Sequence, residues 1–69
     1  MRGVRLLREY LVARDESIGS FARRAGIDRV WLQRLLKYGR PARVAVADAK
    51  AIHDASNGAV PWDSFVEAA

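Results

Sequence analysis

Arg29, Val30, Gln33 and Arg34 lie within one six-residue stretch of this 69-residue chain. Their side chains suit the edges of base pairs. A guanidinium pairs bidentately with guanine, a glutamine amide pairs with adenine, and a valine methyl can meet the methyl of thymine. Arg23 and Arg24 precede the stretch, and Lys37, Arg40 and Arg43 follow it. Such cations suit phosphates, which position a protein without reading sequence. Any solvated helix face carries residues of these types, so the elements that hold them decide how much they mean.

The segment 21–36 predicts a helix, a sharp turn at Gly26 and a second helix opened by Asp28. Gly26 can take positive φ at low cost. Ala22 lies four residues before the turn, where a bulky side chain would hold the two helices apart. Asp28 can accept from the free N–H groups at the second helix start. At about 100° per residue, Leu32, Leu35 and Leu36 share one side of that helix. Val30, Arg34 and Lys37 lie nearly opposite, with Arg29 and Gln33 at one edge. Phe21, Ala25, Ile27, Leu32 and Leu35 can then meet as one small core. A helix, a short turn with glycine, and a helix that buries one side and offers polar groups on the other form the pattern of a helix-turn-helix.

Around this unit the chain predicts three more helical pieces. Val4, Leu7 and Leu11 repeat at helical spacing over about 4–14, with Leu6 and Tyr10 on the flank. Asp15-Glu16-Ser17 breaks that pattern, and Ser17 can cap a helix over about 18–25. The next helix, about 29–38, stops at Gly39, and Pro41 blocks its continuation. A fourth helix is expected over about 43–56, with Val44, Ala45, Ala49 and Ile52 closing the core and Asn57-Gly58 ending it. Pro61 can start a short helical turn through Val66. Trp62, Phe65 and Val66 carry enough apolar surface to pack back on the bundle or to meet a second copy. Trp31, Leu35 and Tyr38 form a flank expected to be at least partly buried, a Trp against a sugar–phosphate backbone being the sharper alternative for Trp31.

Composition narrows the function classes. A single domain over 1–69 is expected, and one this small buries only roughly 60% of its unfolded surface. The chain has no Cys, and its lone His53 has no second ligand for zinc. A nucleophile–base pair, a phosphate-cradling glycine loop and metal spacing are all missing from the sequence. The chain is therefore expected not to be an enzyme, and to use no cofactor, metal or small-molecule substrate. No apolar run approaches the roughly 20 residues of a membrane span. The charged N-terminus does not read as a signal peptide, so a cytoplasmic protein is expected. Residues 1–43 hold eleven Arg and Lys against four Asp and Glu, a balance of +7, whereas 44–69 hold one Lys against four acids, a balance of −3. Within 23–43, seven basic residues face Asp28 alone. Basic charge gathered around one element suits a polyanion.

The stretch from Ser17 to Arg43, and more loosely the whole chain, resembles the small phage Cro proteins and related repressor-type helix-turn-helix regulators. Phe21-Ala22, Ala25-Gly26-Ile27, Leu32, Leu35 and Gly39-Arg40 carry the likeness, together with the thirteen-residue step from Gly26 to Gly39. The ending Ser56-Asn57-Gly58-Ala59-Val60 is similar to that of Cro-like proteins and some toxin–antitoxin regulators. The resemblance implies an all-α bundle of four or five helices and a homodimer on double-stranded DNA in a bacterial cell. It places base reading at Asp28, Arg29, Val30, Gln33 and Arg34, although Asp28 reads first as a cap. Ile18 stands where relatives often carry a Gln or Thr facing a phosphate, so Ser17 or Ser20 is expected to supply that contact. Arg23, Arg24, Lys37, Arg40 and Arg43 complete the expected phosphate set, with one of Arg23 and Arg24 left to solvation.

The function expected on these grounds is a Cro-like repressor that excludes polymerase from a near-palindromic operator. Two rivals stand beside it. One is an antitoxin-like module that grips a protein partner through Trp62 and Phe65. The other is a phage packaging or recombination factor that binds DNA for a different end.

Overall fold

The computed structural model describes residues 2–39 and 44–66. They form five helices: α1 (Arg2–Arg14), α2 (Ile18–Ala25), α3 (Arg29–Tyr38), α4 (Val46–Ala55) and α5 (Asp63–Val66). The bundle is all-helical, as expected, with no strand among the described residues. None of these helices is long and apolar enough to cross a membrane.

Three of the helices close in the same way. Asp15 (φ 52°), Gly26 (φ 74°) and Asn57 (φ 55°) enter the left-handed region just past α1, α2 and α4. After α1, the N–H of Glu16 donates to the Leu11 carbonyl (3.0 Å) and that of Asp15 to Val12 (3.1 Å). After α2, Ile27 donates to Ala22 (3.0 Å) and Gly26 to Arg23 (3.2 Å). After α4, Gly58 donates to His53 (2.8 Å) and Asn57 to Asp54 (3.1 Å). This paired closure is the Schellman motif, which satisfies carbonyls that a helix end otherwise leaves open. Asp and Asn serve at two of the sites because short polar side chains tolerate left-handed backbone better than other non-glycine residues. At the opposite ends, Ser17 Oγ accepts from the N–H of Ser20 (3.1 Å), and Asp28 Oδ2 accepts from that of Trp31 (2.9 Å).

The core joins Val4, Leu7 and Leu11 of α1 to Phe21 and Ala22 of α2, and to Leu32, Leu35 and Leu36 of α3. Val44, Ala49, Ile52, Val60 and Phe65 complete it. Ala25 and Ile27 pack on its edge, as do Ile18 and Trp31. α2 packs on α3 and α4, while α1 packs on α3 and α5. The tail turns inward: the ring of Phe65 lies directly over Gly3, where a Cβ would stand 2.7 Å from two of its atoms. Trp62 stays 38% exposed, with Lys50 Nζ 5.6 Å from its ring. Ser56 fastens the segment before the tail, donating to the His53 carbonyl (3.0 Å) and accepting from the N–H of Val60 (3.1 Å).

Several expectations need correction. α1 begins at Arg2, and Gly3 is helical rather than a leader to the helix. α4 is shorter than expected, because Ala45 is its N-cap and lies exposed instead of in the core. Alanine has no side-chain oxygen to cap with, and no such hydrogen bond forms there. Tyr38 does not join the flank of Trp31 and Leu35; it is 68% exposed, with Lys37 Nζ 6.0 Å from its ring. At the last residue of a helix, a tyrosine keeps its hydroxyl wet at little cost. The expected roles of Arg40, Pro41 and Arg43, and of the Val66 side chain, lie outside the described residues.

Arg24 is the main polar tie between elements. It donates to both carboxylate oxygens of Glu16 (2.8 and 3.3 Å), to the Tyr10 hydroxyl (3.5 Å) and to the Ala55 carbonyl. Four of the five N–H donors that a guanidinium carries are thereby used within the fold. Its plane also lies over the ring of Phe21, 5.2 Å from the centroid. The hydrogen bond from Arg24 holds the Glu16 carboxyl below its ordinary range against a smaller effect of desolvation, and Ser20 assists.

These contacts predict two kinds of glycine cost. Gly3→Ala drives a methyl into the Phe65 ring and should cost roughly 1–3 kcal/mol, as overpacking does. Gly26→Ala meets no neighbour within 4 Å, so its cost should be purely conformational, about 1–2 kcal/mol. Denaturant melts of both variants check this; an unchanged midpoint in either would contradict the contact or the turn.

The Glu16–Arg24 pair predicts a pH dependence. A carboxyl whose folded pKa is depressed adds stability above its unfolded range and loses it as pH falls through the folded value. Glu16→Gln should therefore melt below the parent at neutral pH, and the gap should close in acid. A gap that persists in acid would assign the loss to packing instead of charge.

Candidate nucleic-acid interface

The expected base-reading residues come together on one ridge. Asp28 caps α3 and starts its first turn, and Leu32, Leu35 and Leu36 anchor the buried side. Arg29, Gln33, Arg34 and Lys37 are exposed on the remaining faces, and Val30 is 45% exposed among them. The Asp28 carboxylate is occupied by its own helix, which places it in the capping role.

Two grooves flank this ridge. One runs between the starts of α2 and α3 and is lined by Ser17, Gly19, Ser20, Arg23, Asp28 and Arg29 among others. The stem of Arg29 crosses it to reach Gly19, where a Cβ would stand 3.2 Å from Arg29 Cδ. The second groove lies toward α1, with Gln33 and Lys37 on one wall and Arg8, Leu11 and Val12 on the other. Ser17 and Ile18 also line it, so the start of α2 separates the two grooves.

The arginines divide by partner. Arg24 is tied into the fold as described above. Arg8 is tied as well, since its Nη2 donates to the Leu36 carbonyl in the last turn of α3. A cation there also favours the helix dipole. Arg23, Arg29 and Arg34 make no hydrogen bond or ion pair to another described residue. Three uncompensated guanidinium groups thus gather at the start and outer face of α3 and along α2. Ser17 and Ser20 stand at the start of α2, but Ser17 Oγ is engaged as the cap and Ser20 Oγ donates to Glu16 Oε2 (3.2 Å). The Ser17 hydroxyl keeps its hydrogen to donate to a phosphate, and Ser20 can donate to one by exchanging its partner Glu16. Arg40 and Arg43 lie outside the described residues.

Sequence reasoning missed two residues that set this geometry. Arg8 lies off the apolar side of α1, and nothing local signals its reach to α3, 28 residues on. Gly19 is a weak helix former in the first turn of α2. Its signal was available in principle: a glycine inside a helix, away from any turn, calls for a neighbour that comes close.

The described surface therefore offers donors and cations along one capped helix, with a polar groove on the α2 side and a more apolar one toward α1. No family model matches the chain, and neither a curated protein nor a solved structure matches it.

Proposed function

We propose that this chain is a sequence-specific, double-stranded-DNA-binding transcriptional regulator: a Cro-like repressor that acts as a homodimer on a near-palindromic operator. α2, the Gly26 turn and α3 serve as its helix-turn-helix, with α3 in the major groove. The observation that carries the reading is the exposed ridge of Arg29, Val30, Gln33 and Arg34, with Arg29 and Arg34 free of partners among the described residues. Paired donors on such a ridge match the base edges of the major groove. Arg23 and Lys37 flank it as phosphate contacts, which fix register. Arg24 is the member of its pair left to the fold.

The rival reading, an adaptor gripping a protein through Trp62 and Phe65, is weakened by the inward turn of the tail. Phe65 is buried over Gly3, so only Trp62 remains for a partner. Val46 and Trp62 are exposed apolar groups away from α3, and a second copy is their proposed occupant. Two-fold pairing would set two α3 helices about 34 Å apart, one helical turn of DNA.

Selection of bound sequences from a random duplex pool tests binding, specificity and half-site spacing together. An enriched inverted repeat is expected, with affinity falling steeply as salt rises. Recovery of no consensus would refute sequence-specific regulation. Arg34→Ala should leave the melting temperature unchanged and lose ~1–3 kcal/mol on the selected site, with a smaller loss on random DNA. Equal losses on both would make Arg34 a phosphate residue. Sedimentation with and without the selected duplex should find two chains per site; one chain on a single half-site would overturn the dimer.

A further inference from the structure

Four glycines in the described chain have a physical reason to be glycine that needs no ligand. Gly26, Gly39 and Gly58 have positive φ, and Gly3 makes room for the buried ring of Phe65. Gly19 has neither reason. It lies in the first turn of α2 with ordinary helical backbone, where alanine is the better helix former. Its only close neighbour is the stem of Arg29: an added Cβ would lie 3.2 Å from Cδ and 3.9 Å from Cγ. Arg29 is exposed, so the close approach closes no part of the core. It does lay the stem of Arg29, the first residue of α3, against α2 in the groove that Arg23 also lines.

We infer that Gly19 is a positioning residue for Arg29: it leaves a seat on α2 in which the Arg29 stem lies, aiming the guanidinium for base reading. The inference rests on the DNA-reading function proposed above. An arginine has many rotamers to lose when it binds, and a stem held in place before binding loses fewer. The seat therefore trades helix stability for a pre-aimed side chain. A methyl at position 19 shifts the stem by a few tenths of an ångström, and bidentate pairing is sensitive to aim.

The test is a cycle of Gly19→Ala, Arg29→Ala and the double variant, read by melting temperature and by affinity for the selected duplex. Gly19→Ala should raise the melting temperature while weakening specific binding about three- to tenfold, part of what loss of a base contact costs. In the Arg29→Ala background the same change should cost no further affinity. Without DNA, the Arg29 side-chain NMR signals should shift in Gly19→Ala and its Nε–Hε group should become more mobile. A lower melting temperature would assign Gly19 to the fold and overturn the inference. So would an equal loss of affinity with Arg29 already removed, since Gly19 would then be clearing space for DNA itself. Unaltered binding by Gly19→Ala, alongside a loss in Arg29→Ala, would overturn the seat and leave the DNA reading intact. If the parent chain selects no sequence, the reading and the inference fall together.

Discussion

The left-handed turn at Gly26 is the constraint on which the rest of the molecule depends. One residue at φ 74° ends α2 and redirects the chain within three residues to the cap of α3. The closure is also a packing event. The same bond that joins Ile27 to the Ala22 carbonyl brings Ile27 back against the core edge. Ala22 is almost wholly buried at this point, so the crossing of α2 and α3 tolerates little more than a methyl group. With the turn set, Leu32 and Leu35 must face Phe21, and the remaining sides of α3 must face outward. The exposed ridge is thus a consequence of how the apolar side is anchored.

A domain this small has little apolar surface to spare, and it has no disulfide to add. Long-range hydrogen bonds from arginine make up part of the difference. Arg8 joins α1 to the end of α3, and Arg24 joins the loop after α1 to α2 and to the end of α4. Both bond to carbonyls in or at the end of a helix's last turn, the groups that helix geometry leaves without partners. Each tie therefore satisfies an open acceptor and cross-links two elements at once. No buried side-chain nitrogen or oxygen among the described residues lacks a partner.

Local rules made much of the fold legible. The caps at Ser17 and Asp28 and the stops at Gly26 and Gly39 follow from residue type, and α2 and α3 fall where the sequence places them. The apolar spacing of Val4, Leu7 and Leu11 likewise identifies the buried side of α1. Legibility declined where the deciding neighbour is remote in sequence. Ala45 and Ala49 are the same residue type at helical spacing, yet one is an exposed cap and the other is buried. Tyr38 fits the flank of Trp31 by angle, but it sits at the end of its helix and stays in solvent. The exposed ridge on α3 was legible because one helix creates it. The division of Arg23 from Arg24 was not, because Glu16, Tyr10 and Ala55 come together only in the folded chain.

That division changes the electrostatics that the sequence shows. Counting residues makes the first part of the chain uniformly basic, but Arg24 is paired with Glu16 and contributes little field beyond the pair. Among the described residues of α2 and α3, the cations without an ion pair are Arg23, Arg29, Arg34 and Lys37, and Arg5, Arg8 and Arg14 of α1 have none either. The acids Asp48, Asp54 and Asp63 belong to α4 and α5, and α4 packs on α2 and α5 while α3 packs on α1 and α2. The charge asymmetry along the sequence is carried by different elements in the fold. A charge distribution of this kind gives a molecule a preferred orientation toward a polyanion before any contact forms, and salt weakens that preference over a Debye length of about 8 Å. Pairing one arginine of an adjacent two therefore does more than stabilise a helix. It removes a charge from the flank of α2 and leaves Arg23, which lines one groove with Arg29, as the cation of that flank without an ion pair.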